Sequence, residues 1–398
     1  LAKFITRIPV PTEFSQGILA RALEARNRGF ATQARPIPRL APARRRAITC
    51  RSSSLSRELG VRLSFRHLQA AAFALARPAL LALLVVLVSR AAAAEYIIQS
   101  FLLPGGISAH DVAPAPDGTV WFSAQAKGAL GRLDPKTGKV DLAPLGTGSA
   151  PHGVILGPQG DIWITDGGLN AILRVEPTSL KMKSYPLPLE NSDASLNSAT
   201  FDRDGVLWFT GENGVYGVLD PNTGGMRVFA APRGRGPYGM ATTPEGVVFY
   251  ASLAGNYLGR IDPETGTVRV IEPPTPNQGA RRVACDRAGG VWISEWNGGA
   301  IARYEPKDGT WQSWKIPGDR PRPYAIYVDE TGAAWVSDWG GNAIWRFDPE
   351  ARVFAKFALA RANAEIRQMA GRKGEVWAAE SGTGYLTVVR FSESGAKP

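Results

Sequence analysis

Cysteine is almost missing from this 398-residue chain, which has two, Cys50 and Cys285. Only Cys285 lies in the folded body delimited below, so that body holds no intrachain disulfide and must draw its stability from a core. Histidine is equally scarce, three in all, and no zinc-type cluster of Cys and His is present. A P-loop, a Gly-x-Ser-x-Gly elbow and a dinucleotide fingerprint are absent as well. So is any apolar run of membrane-spanning length. The uncharged stretch between Arg77 and Arg90 is 12 residues, short of the roughly 20 that a bilayer requires.

Positive charge is abundant but confined to one end. Up to Ala94 the chain carries 16 Lys and Arg against 3 Asp and Glu, and the remainder has 30 against 32. The net charge of +11 therefore belongs to the N-terminal segment, and nothing in the body calls for nucleic acid or an anionic surface. Residues 1–60 are Arg-rich, with runs at Arg44–Arg46 and Ser52–Ser54, and show no apolar period; they read as an unstructured or untranslated extension. Residues 61–94 have the layout of a secretory signal peptide: basic Arg62, Arg66 and Arg77, the apolar Ala79–Val88, then the small residues Ala91–Ala94. This predicts a periplasmic or secreted body at 95–391, with a tail at 392–398 and no stable membrane span after cleavage.

Within the body one motif recurs seven times. Strand aromatics fall at Trp121, Trp163, Trp208, Phe249, Trp292, Trp335 and Trp377, spaced by 42, 45, 41, 43, 43 and 42 residues. Acidic-Pro turns follow at Asp134, Glu176, Asp220, Asp262, Glu305 and Asp348. Short runs of β-branched and aromatic residues such as Gly118–Phe122, bounded by Gly, Asp and Pro, are hairpin strands. A repeat of about 40–45 residues is one four-stranded propeller blade. The prediction is all-β: a seven-bladed β-propeller with the strand aromatics packed between blades. The last repeat lacks one strand, and Tyr96–Leu103 can supply it, closing the ring and removing its edges.

In such a ring the innermost strands bring equivalent residues together at the axis. The corresponding position reads His110, His152, Asn197, Tyr238, Arg281, Tyr324 and Arg367. A structural position repeats its residue type; this one changes in identity while staying polar. The set offers hydrogen-bond donors, a general base and cation–π surfaces, although polar groups lining a solvated channel mouth give the same pattern. A second ring, three residues after each aromatic, is Ala124, Asp166, Gly211, Ser252, Glu295, Asp338 and Glu380. Its acids suit either a divalent cation or backbone N–H groups in turns. Glu380 is the stronger metal candidate, because Glu365 precedes Arg367 in the same blade.

The repeats DGTVWFSAQAKGALGRLDP, GVWISEWNGGAIARYEP and GAAWVSDWGGNAIWRFDP resemble those of the virginiamycin B lyase (streptogramin lyase) family, over about Gly106 to Phe391. The resemblance implies a propeller that opens cyclic depsipeptides by Mg²⁺-dependent elimination, with its machinery in the last two blades. A family histidine corresponds to Tyr324 in RPYAI, and the family's general-base histidine to Arg367 in EIRQM. The acidic positions persist as Glu365 and Glu380, the implied metal ligands. An Arg cannot serve as base near neutral pH, since its pKa exceeds about 12, so streptogramin cleavage by the family route is not expected. The function expected is a lyase-type or other small-molecule-acting enzyme, with catalytic candidates His152, His110 and Tyr324. Asn197, Tyr238, Arg281 and Arg367 would bind substrate. The alternative is a non-catalytic ligand- or protein-binding propeller in the periplasm; a monomer with a small-molecule ligand at the central axis is expected.

Overall fold

The computed structural model describes residues 3–8 and 96–391. The Arg-rich extension beyond residue 8, the signal-like segment and the 392–398 tail lie outside them, as does Cys50.

Six four-stranded antiparallel sheets follow one another along the chain, and a seventh combines both ends of the body. Blade 1 begins with Val112–Pro114, blade 2 with Pro151–Leu156, blade 3 with Leu196–Phe201 and blade 4 with Pro237–Thr242. Blades 5, 6 and 7 begin with Ala280–Cys285, Pro323–Val328 and Ile366–Arg372. These first strands lie against one another around the ring, and that of blade 7 meets that of blade 1. The first strand is therefore innermost, as the sequence requires.

Closure also matches the expectation. Tyr96–Leu102 pairs antiparallel with Tyr385–Phe391, from Tyr96 opposite Phe391 to Leu102 opposite Tyr385. One correction falls in the N-terminal extension. Lys3–Ile8, expected to be unstructured, forms a fifth strand paired with Tyr96–Phe101.

The core is a ring of seven apolar clusters, each formed where one blade meets the next. Trp121 packs with Val154, Ile162 and Ile164 of blade 2; Trp292 packs with Val336 and Phe347 of blade 6. Trp377 meets Val112 and Phe122 of blade 1, completing the circle. A lone sheet would leave one face wet; stacked radially, each buries both. The indoles are also tethered. Asp202, Asp286 and Asp329 accept the Nε1–H of Trp208, Trp292 and Trp335 at 2.9, 2.9 and 2.7 Å. The Asp that opens each of these turns thus fixes the strand aromatic that follows.

Candidate functional site at the propeller axis

The innermost strands do not pair regularly. In blades 3 to 7 the register slips between Leu196 and Ala199, Pro237 and Met240, Ala280 and Val283, Pro323 and Ile326, and Ile366 and Met369. Blade 2 slips between Pro151 and Gly153. Each slip is a β-bulge, which leaves residues out of the ladder and re-aims their side chains. The residues freed include every predicted ring member of these blades. They also include the next residue: Ser198, Gly239, Arg282, Ala325 and Gln368.

In five of the seven blades a hydroxyl two residues after the strand aromatic fastens the inner strand. Ser294 Oγ accepts from Arg282 N (3.0 Å) and donates to the carbonyl of Tyr324 in the next blade (2.6 Å). Thr165 does the same for Gly153 and Asn197, and Thr210 for Ser198 and Tyr238. Ser123 serves Asp111 and His152, and Ser337 serves Ala325 and Ile366. In these blades one side chain thus fixes its own inner strand and the backbone at or beside the next blade's ring member. Gly239 is needed for the same close approach, since a Cβ there would lie 2.6 Å from Arg282 Cα.

All seven ring side chains converge, in two groups. The first spans blades 1 to 3. The His110 and His152 rings stand 3.9 Å apart between centroids. His110 Nδ1 donates to Asp111 Oδ1 at 2.8 Å. Arg282 reaches across the axis, donating from Nη2 to Asp111 Oδ1 (3.2 Å) and from Nη1 to Ser198 Oγ (2.7 Å). Ser198 donates to Asn197 Oδ1 (2.8 Å), and Asn197 Nδ2 donates to Glu212 Oε1 (2.6 Å) and lies 3.4 Å from His152 Nε2. Burial alone would raise the Asp111 pKa, but Arg282 and His110 outweigh it and hold the carboxyl below its usual range. Burial, reinforced by the neighbouring His110 and Arg282, drives His152 well below the ordinary imidazole value. His152 is therefore neutral at neutral pH, and its Nδ1 is buried without a hydrogen-bond partner.

The second group spans blades 4 to 7. Tyr238 and Tyr324 share a hydrogen bond between their phenols, and Tyr324 stacks on Trp339 at 4.9 Å. Arg281 lies over Tyr324, Trp296 and Tyr238 at 4.0, 4.7 and 5.1 Å. Arg367 lies over Trp339 at 4.9 Å and pairs with Glu365 at 3.4 Å. Burial first, and then the neighbouring Tyr324, push the Tyr238 phenol well above its usual value, so it stays protonated. Arg282, at 5.5 Å over Tyr238, joins the two groups. On the far side of the Asp111–Arg282–Ser198 layer, the axial channel opens into a cavity of ≈400 Å³ reaching Thr200, Thr242 and Cys285.

The acidic ring mostly holds backbone and arginine. Asp166 accepts from the N–H groups of Ala150, Gly168 and Leu169, and Asp338 from that of Arg322. Glu380 is buried and takes two bonds from Arg361, at 2.9 and 2.7 Å, together with the hydroxyls of Thr383 and Thr387. With Glu380 so occupied and Glu365 paired to Arg367, these two carboxylates do not fit the Mg²⁺ that the resemblance implies. Among the described residues the three-ligand group is instead His110, Asp111 and His152, whose candidate donor atoms lie within 4.8 Å of one another. Two imidazoles and one carboxylate suit a transition metal better than Mg²⁺, but Arg282 already occupies the carboxylate.

Sequence reasoning missed two sets of residues. Asp111, Ser198, Arg282 and Gln368 follow the ring members directly; strict strand alternation sends them to the opposite face, and only the bulge turns them inward. Glu212, Trp296 and Trp339 share one register, the position after the acidic ring. That register reads Gln125, Gly167, Glu212, Leu253, Trp296, Trp339 and Ser381, and its variability was the available signal.

Comparison with solved structures gives the same architecture. The virginiamycin B lyase of Staphylococcus aureus superposes with a TM-score of 0.69 at 22% identity, covering 74% of this chain and 99% of that one. A streptogramin B lyase structure gives 0.68 at 24%, covering 75% and 98%. YCF48 bound to D1 peptide gives 0.61 at 13%, covering 76% and 97%. No curated protein sequence matches the chain. The model of the Virginiamycin B lyase family matches residues 112–389, from the inner strand of blade 1 into the third strand of blade 7, and the chain belongs to that family.

Proposed function

We propose that the chain is an exported, monomeric lyase-type enzyme that acts on a small molecule held over the axial ring. The observation that carries this reading is the close His110–His152 pair, tilted at 47°, with Asp111 bonded to His110 Nδ1. Elimination needs a base for a proton next to a carbonyl, positive groups for the oxygen on which charge develops, and an acid for the leaving oxygen. His152, kept neutral by its burial, supplies the base, with His110 beside it in the same site. Asn197, Arg281 and Arg367 face the developing charge. The Tyr324 phenol, hydrogen-bonded to a Tyr238 that stays protonated, gives a proton to the leaving oxygen as the C–O bond breaks and the C=C bond forms. Export is supported by the three-part layout of residues 61–94. Among the described residues no helix is long and apolar enough to cross a membrane.

Mass spectrometry on a panel of cyclic depsipeptides and esters with an acidic C–H next to the carbonyl tests the proposal. Elimination opens a cyclic substrate without change of mass, whereas hydrolysis adds one water. Turnover by elimination, reduced about 10²-fold or more in His110→Ala and His152→Ala, is the expected result. Water-added products, or turnover indifferent to both substitutions, overturn it. A second reading, capture without turnover, is favoured by Arg367 standing where the family has its base; saturable binding with no product from any panel member would establish that one instead.

A further inference from the structure

The second group of axial residues carries more positive charge than its own carboxylates balance. Three guanidinium groups, those of Arg281, Arg322 and Arg367, gather around the indoles of Trp296 and Trp339. Among the described residues the ion pairs include neither Arg281 nor Arg322, and Arg367 has only Glu365. Elsewhere in the ring cationic groups are balanced: Arg282 has Asp111 and Arg361 has Glu380. Arg281 is the most exposed to this deficit, because aromatic rings cover its faces and its Nε is buried with no hydrogen-bond partner.

A guanidinium stacked on aromatic rings has lost water from its faces but keeps its charge and its rigid edge of donors. Leaving a buried donor of a charged group unpaired is costly, and the cost is recovered when an anion accepts at that edge. A planar carboxylate matches the fork of donors in two parallel bonds. Trp296 and Trp339 are half-buried and edge-on to each other at 5.5 Å and 81°, so partly exposed apolar rings lie beside the charged edges. We infer that the Arg281, Arg367, Trp296 and Trp339 face recognises a carboxylate carried on an aromatic or similarly flat apolar group. This deepens the axial-site reading by naming the ligand class, but it requires no catalysis.

The probe is naphthalene-2-carboxylate, titrated into the full-length protein by calorimetry and by intrinsic tryptophan fluorescence, with the neutral naphthalene-2-carboxamide and inorganic phosphate as comparators. Saturable binding of the carboxylate, at least about tenfold tighter than either comparator, is expected. Arg281→Gln and Arg367→Gln should each weaken it by about tenfold with the melting temperature unchanged. Trp296→Leu should weaken carboxylate and amide together. Equal binding of acid and amide, phosphate binding as tight as that of the acid, or indifference to both arginine variants overturns the inference. Failure of the lyase proposal has a different signature, namely binding of the acid with no turnover of any panel substrate.

Discussion

At the residue scale the ring shows how much chemistry a repeat can carry at a position the fold leaves free. The seven ring members were legible in the sequence because each varies inside an otherwise regular motif. Arg282 and Asp111 were not, because their inward aim depends on the bulge, which no local pattern announces. Glu295 gives a residue-scale prediction. It is buried at the end of its strand, and burial, only partly opposed by Lys315 and Ser313, raises its pKa from 4.5 to about 7. Between those values the folded protein binds a proton that the unfolded chain has released, so stability falls as pH rises through this window. Glu295→Gln should abolish that slope and stabilise the protein above neutral pH by up to about 3 kcal/mol. Urea unfolding of both proteins at about pH 5 and about pH 8 measures it; identical slopes would contradict the assignment.

At the scale of the element, the second strand does more than fill the core. Its aromatic packs into the next blade, and its hydroxyl, two residues on, links one bulge to the next. The aromatic was readable from spacing alone. The hydroxyl was not, since Ser and Thr at an inward strand position look like ordinary small residues until the partner across the blade boundary is known. Ser294→Ala should leave Arg282 N and the Tyr324 carbonyl unpaired in a dry setting, costing about 1–3 kcal/mol. It should also perturb ligand contacts at Tyr324 without touching any ligand. Chemical denaturation gives the first quantity and binding calorimetry the second; a loss confined to binding would show that the hydroxyl orients without stabilising.

At the scale of the whole molecule, closure is the property that the blade count and the orphan strand Tyr96–Leu102 foretold. What they could not foretell is the added strand Lys3–Ile8. It has only six residues, no neighbouring repeat to set its register, and a partner some ninety residues away in sequence. Closure predicts that a chain beginning at Tyr96 melts in one cooperative step. One beginning at Pro104, deprived of the strand that pairs with Tyr385–Phe391, should melt broadly and at markedly lower temperature. Thermal unfolding followed by tryptophan fluorescence distinguishes them, and matching transitions would mean that the ring holds without its clasp.

The hydroxyl links are not uniform around that ring. Blades 4 and 7 carry Ala251 and Ala379 where the others carry Ser or Thr. At the boundary of blades 7 and 1 a substitute exists, since Ser381 Oγ donates to the Ala109 carbonyl at 2.9 Å. Between blades 4 and 5 no hydroxyl among the described residues takes its place, the long 3.4 Å bond from Gly279 N to Asn256 Oδ1 being the side-chain link there, and the ring member that follows is Arg281. A hoop riveted at every joint but one flexes at that joint, so backbone give during ligand entry should concentrate under the guanidinium that lacks a counter-ion.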